Sequence, residues 1–396
     1  MKKILGLLLA LCLIAGCTSA FAAGIPVEQV KIGYITIGDE NEGYSANHLN
    51  GLKEAQAALG ISDDQVLCKY NVPETEDAYE AAIDLAEQGC NIIFATSFGH
   101  ESYVFQAAAE YPNIQFCHAT GNSAMNSELT NVHNYFYAVY ESRYVSGVVA
   151  GMKLAQMIED GTITAENAKI GYVGAFPFAE VISGFTSFFL GARSQCPSVT
   201  MEVRYTNSWG DMALEKETAE ALIADGCVLI SQHADTTGAP SACEAAGVPC
   251  VGYNISMLPV APNTALTSAA GDWGAYVTYA VKCLIDGEEI ARDWCKGYAE
   301  GAVYTTELND SIVAPGTAEK VAELEEAFKA GTVKVFDTST FTVNGETVTT
   351  YLADVDDLGD YVGETEAISD GVFLESYYRS APYFDLDIDG ITNLDA

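Results

Sequence analysis

Short, nearly continuous apolar runs alternate along this chain with segments in which apolar residues recur every three or four positions. The runs are typical of parallel β-strands buried on both faces, and the periodic segments are typical of amphipathic helices. The first series contains the strands KIGYITI, QVLCKYNV, CNIIFATS and IQFCHAT, separated by helices that include Tyr44 to Leu59. The pattern predicts an α/β unit in which helices cover both faces of a parallel sheet.

The same series begins a second time at Lys169, where KIGYVGAF repeats the opening letters of KIGYITI at Lys31. Within the two series, LAEQGCNIIFATS corresponds to LIADGCVLISQH. Lys31 and Lys169 lie 138 residues apart, and Cys90 and Cys227 lie 137 apart. Because the offset is nearly constant at two separate landmarks, we predict two similar lobes, each a doubly wound parallel sheet.

Two segments are predicted to pass between the lobes: residues 135–161, which read as a strand and then a long helix, and NTALTSAAGDW with the helix after it. The expected division therefore places residues 28–140 and about 273–330 in the first lobe, and residues 141–272 and about 331–396 in the second.

Composition narrows the classes of partner. With 49% hydrophobic residues, the 396-residue chain can bury a core in each lobe. Its 18 basic and 55 acidic residues give a net charge of −37, which repels nucleic acid and anionic membrane surfaces. We therefore expect no nucleic-acid partner.

Residues 1–23 read as an export segment rather than as part of the fold. Lys2 and Lys3 precede an apolar run that is too short to span a bilayer comfortably. Ile14-Ala15-Gly16-Cys17 matches a bacterial lipobox, in which Cys17 is lipidated and anchors the protein, and this interpretation is favoured. The alternative is ordinary signal-peptidase cleavage after Ala20-Phe21-Ala22.

Ligands of α/β sheets bind beyond the carboxyl ends of the strands. Aromatic, acidic and amide side chains, with very little positive charge, occupy those ends in this chain. The candidates are Asp39, Phe98, Thr120, Phe176, Phe178, Trp209, Asp235 and Asn254, together with Tyr44 and Trp273 at strand-to-helix junctions. Two rings that face each other across a cleft would hold a planar ligand, since stacking on a base is worth ~1–3 kcal/mol. Carboxylates and amides can pair with the edge of a purine.

Motifs for other chemistry are missing from the sequence. Neither GxGxxG nor GxxxxGK[ST] occurs, which disfavours a nucleotide cofactor. GxSxG and HExxH are also absent, and the five histidines are scattered. The run DxDxDG at Asp385 starts like a calcium loop, but its twelfth position is Ala396 instead of Glu. We therefore predict no catalytic residue, no cofactor and no metal, and a protein that is not an enzyme.

An ordered set of motifs resembles the basic membrane protein (BMP) family. The set comprises the lipobox, KIGYITIGDENEGYSANHLNG, TSFGHE, HATG, YAVYESRYVSGVVAG, KIGYVGAFPFAEVISGF, TNSWGD, SQHADTTG and VGYNISM. Members are lipoprotein substrate-binding components of ABC importers, related to purine and purine-nucleoside binders. The resemblance implies the type I periplasmic-binding fold, with three crossovers and a ligand held between the lobes. It further implies an ABC permease as partner and attachment to the outer face of the cell membrane, and we expect a monomer.

The resemblance also assigns residues by position. It places the stacking aromatic of the first lobe on Tyr44, and the opposing ring on Phe176 or Phe178. Nucleoside-binding relatives have an Asp after the strand that corresponds to PCVGY and a Lys beyond the last crossover.

Here those positions hold Asn254 and the run Gly271-Asp272-Trp273, which makes Asp272 a further candidate ligand residue. Both departures favour a free purine base over a nucleoside. A ligand-sensing domain of a receptor and an enzyme on the same scaffold stay open as alternatives.

Overall fold

The structure is a computed structural model that describes residues 24–355 and 362–395. The export segment, with Cys17 and both cleavage motifs, lies outside the described residues. The strands are β1 (Ile32–Ile35), β2 (Val66–Lys69), β3 (Ile92–Ala95), β4 (Gln115–Ala119), β5 (Val132–Tyr137), β6 (Lys169–Gly174), β7 (Thr200–Tyr205), β8 (Leu229–His233), β9 (Cys250–Tyr253), β10 (Ala265–Gly271), β11 (Asp293–Lys296), β12 (Val303–Thr305), β13 (Leu352–Ala353), β14 (Thr365–Glu366), β15 (Ile368–Ser369), β16 (Val372–Phe373) and β17 (Ile391–Asn393). The helices are α1 (Gly43–Leu59), α2 (Glu76–Glu87), α3 (Glu101–Glu110), α4 (Val139–Glu159), α5 (Ala179–Gln195), α6 (Met212–Ala224), α7 (Gly238–Ala246), α8 (Trp273–Asp286) and α9 (Thr317–Lys329).

The strands form two main sheets, one in each lobe. The first has the order β11-β5-β4-β3-β1-β2, and all of its strands are parallel. The second has the order β12-β10-β9-β8-β6-β7-β17, in which only β12 is antiparallel to its neighbour. The run β2-β1-β3-β4-β5 corresponds strand by strand to β7-β6-β8-β9-β10. The predicted duplication and the α/β fold of two doubly wound lobes are confirmed.

Local sequence signals fix the element that follows the first strand. The four residues of β1 are all buried, as expected for an apolar strand covered on both faces. Helix α1 begins where the Glu42 carboxylate accepts hydrogen bonds from the backbone N–H groups of Tyr44 and Ser45. It ends at Gly60, whose φ of 71° lies in the left-handed region that favours glycine. Tyr44 is therefore held in the first turn, next to the end of β1.

The chain passes between the lobes three times. The crossings lie between β5 and α4, between β10 and α8, and between β11 and β12. Helix α8 returns to pack on α1 in the first lobe, whereas β12 and α9 join β10 and α4 in the second. The expected division put everything from about 273 to 330 in the first lobe. In the structure, β12 pairs with the second sheet instead, because the apolar pattern carries no signal for the place of the third crossing that the resemblance implies.

The tail after α9 attaches mainly to the second lobe. Strand β17 pairs in parallel with β7 and extends the second sheet by one strand. The Ser183 hydroxyl of α5 donates to the buried carboxyl group of Glu375. Ser380 donates to Asp293 in the edge strand of the first sheet, so the tail also contacts the first lobe. In the described part of the chain, no helix combines the length and the apolar character needed to span a bilayer.

Candidate functional site

A cleft lies between the two lobes, beyond the carboxyl ends of both sheets. The empty space in it, measured out to its open mouth, is about 400 Å³. Its lining side chains are Ile37, Tyr44, Ser97, Phe98 and Thr120 from the first lobe, and Glu180, Trp209, Asp235 and Tyr253 from the second. The lobes are therefore close together, and a ligand held here would touch the loops that follow β1, β3 and β4 in one lobe and β6, β7, β8 and β9 in the other.

Tyr44 is positioned by contacts behind its ring. Its hydroxyl donates to the carbonyl of Thr96, and its ring meets those of His48 and Trp273 edge-on, with centroids 4.6 and 5.9 Å away. Trp273 is stacked on His48 at 3.9 Å and is 1% exposed. Trp273 thus lies in the core behind Tyr44 and does not line the cleft, although its position at a strand-to-helix junction made it a candidate.

The second lobe contributes a group of aromatic rings. Phe176 and Phe178 are stacked with centroids 5.2 Å apart, and Trp209 lies 5.4 Å from Phe176. Phe178 reaches across the cleft to Phe98 of the first lobe, with centroids 5.9 Å apart. Trp209 and Phe98 line the cavity, whereas the two phenylalanines of the Phe-Pro-Phe turn contact the Trp209 ring and are not part of the lining. The ring facing Tyr44 from the second lobe is consequently Trp209 or Tyr253.

Asp235 and Asn254 form a buried polar pair at the cleft. The Asn254 amide donates to Asp235 Oδ1 at 2.8 Å, and the Asp235 backbone N–H donates to the carbonyl of Trp209 at 2.8 Å. Burial, reinforced by the nearby Glu42 and Glu215 carboxyl groups, raises the pKa of Asp235 well above its usual range. Asp235 therefore favours its neutral form.

Glu180 lies in a different electrostatic environment. Burial raises the pKa of its carboxyl group to about 7, an effect that Arg143 on α4 partly opposes. His233 Nε2 lies 3.4 Å from Glu180 Oε1, but burial and Arg143 hold the pKa of His233 well below its usual range, so that imidazole is neutral. The Arg143 guanidinium lies over the Tyr253 ring at 3.8 Å and donates to the carbonyl of Gln232.

A backbone contact joins the lobes directly at the cleft. The N–H of Gly43, the first residue of α1, donates to the carbonyl of Asp235 at 3.2 Å. A Cβ atom on Gly43 would lie 2.7 Å from that same oxygen, closer than van der Waals contact allows. The approach of the two lobes at this point therefore depends on glycine.

Two of the expected ligand residues lie elsewhere. Asp39 accepts hydrogen bonds from Asn41 and Asn71, which lower its pKa, and it closes the turn before α1. Asp272 caps α8 by accepting from the N–H of Gly274. Neither carboxylate lines the cleft. Asp39 is bonded to Asn41 in its own loop and to Asn71 after β2, and Asp272 is bonded to the first turn of α8.

Comparison with known proteins identifies the family. Residues 34–335 match the family model Bmp, described as ABC transporter substrate-binding protein PnrA-like. The chain belongs to the Bmp family. A purine-binding protein of Brucella abortus is 33% identical over 311 residues, which are 78% of this chain and 83% of that protein. A putative ABC transporter glucose-binding protein of Haloferax volcanii is 30% identical over 79% of this chain and 76% of its own length.

The fold agrees with the family. A solute-binding protein of an ABC transporter system from Conexibacter woesei superposes with a TM-score of 0.60 at 20% identity, covering 77% of this chain and 97% of that one. The type I periplasmic-binding fold and the resemblance to the BMP family are confirmed. This Bmp-family protein is thus a solute-binding protein of the ABC-transporter class, and its tail from residue 336 lies beyond the matched region.

Five of the expected residues line the cleft of this Bmp-family protein, namely Tyr44, Phe98, Thr120, Trp209 and Asp235. Asn254 contacts the cleft only through Asp235. Glu180 and Tyr253 line it as well, although neither was among the predicted ligand residues. A signal for Glu180 was available, since it is an acid in the first turn after a Phe-Pro-Phe strand end.

Among residues 24–355 and 362–395, no group of three or more His, Cys, Asp or Glu could hold a metal ion.

Proposed function

We propose that this protein is a lipid-anchored, extracytoplasmic solute-binding protein that captures a purine base and delivers it to an ABC permease. The observation that carries the proposal is the cleft itself, in which Tyr44 and Phe98 of one lobe face Trp209 and Tyr253 of the other. Flat rings on both sides suit a planar ligand, because every base presents a π face. Cys17 would supply the lipid anchor. We propose binding without turnover, by a monomer.

Two features favour a base over a nucleoside. Asn254 stands where nucleoside-binding relatives are expected to have an Asp, and its amide is already committed to Asp235. Asp272 stands near the expected lysine position and caps a helix. The Asn254 N–H group and Asp272 Oδ1 are thus engaged within the protein, and the acidic groups at the cleft disfavour a phosphorylated ligand.

Calorimetric titration of ligand-stripped protein tests the proposal. Adenine, hypoxanthine and guanine are expected to bind more tightly than adenosine, inosine and guanosine. D-Glucose belongs in the same series, because the Haloferax volcanii relative is described as a putative glucose-binding protein. Binding of glucose without any purine would replace the purine assignment, and tighter binding of nucleosides would reverse the preference for the base.

A further inference from the structure

Asp235 is a buried carboxyl group in the cleft, and it forms no ion pair with a cation in the described part of the chain. It is 7% exposed, and its side chain lines the cavity. Its Oδ1 atom accepts the hydrogen bond from Asn254, whereas Oδ2 has no hydrogen-bond partner among the described residues. An ionised carboxylate would be costly in this environment, because burying an unpaired charge costs far more than burying a hydrogen-bonded neutral group.

The charged groups that face Asp235 are acids. Glu42 approaches from the first lobe, Glu215 from α6 and Glu180 from the start of α5, and each of them raises the pKa of Asp235. Arg143 acts on Glu180 instead and lowers the pKa of that carboxyl group. The two cleft carboxyl groups therefore differ in acidity. Asp235 retains its proton at a pH at which Glu180 can lose its own.

Geometry locates the proton of Asp235. The backbone N–H of Asn254 donates to the carbonyl of Ala269 at 2.9 Å, which holds this residue directly after β9. The Asn254 amide thus commits Asp235 Oδ1 to the role of acceptor. In a neutral acid the hydroxyl is then Oδ2–H, which is the oxygen left without a partner in the cleft.

We infer that Asp235 contacts the ligand as a neutral carboxylic acid, with Oδ2–H donating a hydrogen bond to a ring nitrogen of the purine. The inference rests on the proposed function and specifies how that site selects its ligand. The ligand must then carry a ring nitrogen that can accept this hydrogen bond from Asp235. Glu180 supplies the complementary acceptor for a ring or exocyclic N–H of the same base. The pair makes the cleft selective for planar heterocycles that carry both an acceptor and a donor.

The test combines two variants with analogues of adenine. Asp235→Asn keeps one acceptor and one donor in the same places, since an amide N–H replaces the acid hydroxyl. Asp235→Ala removes both. Affinities are measured by calorimetry for adenine and for its deaza analogues, each with one ring nitrogen replaced by C–H. In the wild type, one analogue is expected to bind about tenfold or more weakly than adenine, because a buried donor is left unpaired.

In Asp235→Asn we expect adenine affinity within about threefold of wild type and the same discrimination against that analogue. In Asp235→Ala adenine should weaken about tenfold or more, and the difference between adenine and the analogue should vanish. Thermal melts establish that both variants are folded. If Asp235→Asn loses as much adenine affinity as Asp235→Ala, or if no deaza analogue is weakened, the neutral-acid role is wrong although purine binding stands. Failure of every purine to bind the wild type overturns the proposed function and this inference together.

Discussion

Individual side chains in the cleft differ in what they are expected to contribute. Trp209 lines the cavity and is supported from behind by Phe176, so its ring is held in place for stacking. We predict that Trp209→Ala weakens adenine binding by about tenfold, since stacking on a base is worth ~1–3 kcal/mol. The matched control is Trp294→Ala, because Trp294 packs on Tyr276 and Tyr279 outside the cleft. Calorimetry measures both affinities, and equal losses in the two variants would exclude stacking on Trp209.

At the same scale, residue types were easier to predict from the sequence than residue environments. Tyr44, Trp209 and Asp235 could be found because each follows a strand end, which backbone topology alone directs toward the cleft. Trp273 also follows a strand end, but a ring that stacks on His48 faces the core. Which way a side chain turns after a strand depends on packing partners far away in sequence, and the periodic pattern does not contain them.

At the scale of elements, the start of α1 sets how closely the lobes approach. Gly43 contacts the Asp235 carbonyl, and a Cβ atom there would lie 2.7 Å from that oxygen. We predict that Gly43→Ala weakens adenine binding severalfold, because the lobes cannot close fully around the ligand. Thermal stability of the ligand-free protein should change little, since Gly43 is the first residue of α1 and the helix preference of alanine over glycine applies to helix interiors.

Lys53→Ala, on the exposed face of the same helix, is the control for this prediction. It should leave the affinity unchanged. A Gly43→Ala protein that binds adenine as tightly as wild type would show that this contact does not limit closure. Parallel loss of affinity and of thermal stability would instead indicate damage to α1.

Buried strands could be predicted from the sequence, whereas short strands at the edge of a sheet could not. The first strand of each lobe, β1 or β6, is an apolar run that is almost entirely buried, so the sequence identifies it directly. Strand β17 has only three residues and contains Thr392 and Asn393, yet it pairs with β7 and extends the second sheet. Its conformation comes from the free edge of β7, which is a tertiary feature.

At the scale of the whole molecule, the order of the two sheets could be predicted because the chain repeats itself at a nearly constant offset. The family resemblance implied a third crossing, but its position could not be predicted, since β11 and β12 are short strands without counterparts in the repeat. The consequence is functional. Three connections join the lobes, and closure can therefore occur by rotation of the lobes about them.

Charge opposes that closure. The chain carries a net charge of −37, and Glu42 of the first lobe lies near enough to raise the pKa of Glu215 in the second. We predict that adenine, a neutral ligand, binds about two- to fivefold more tightly when salt is raised from about 10 mM to about 500 mM, because salt screens repulsion between the closing lobes. Calorimetry at pH 8 measures the effect. Glu42→Gln, which keeps an acceptor for the α1 cap, should reduce the salt dependence. Affinity that is independent of salt, or that falls as salt rises, would mean that repulsion between the lobes does not control closure.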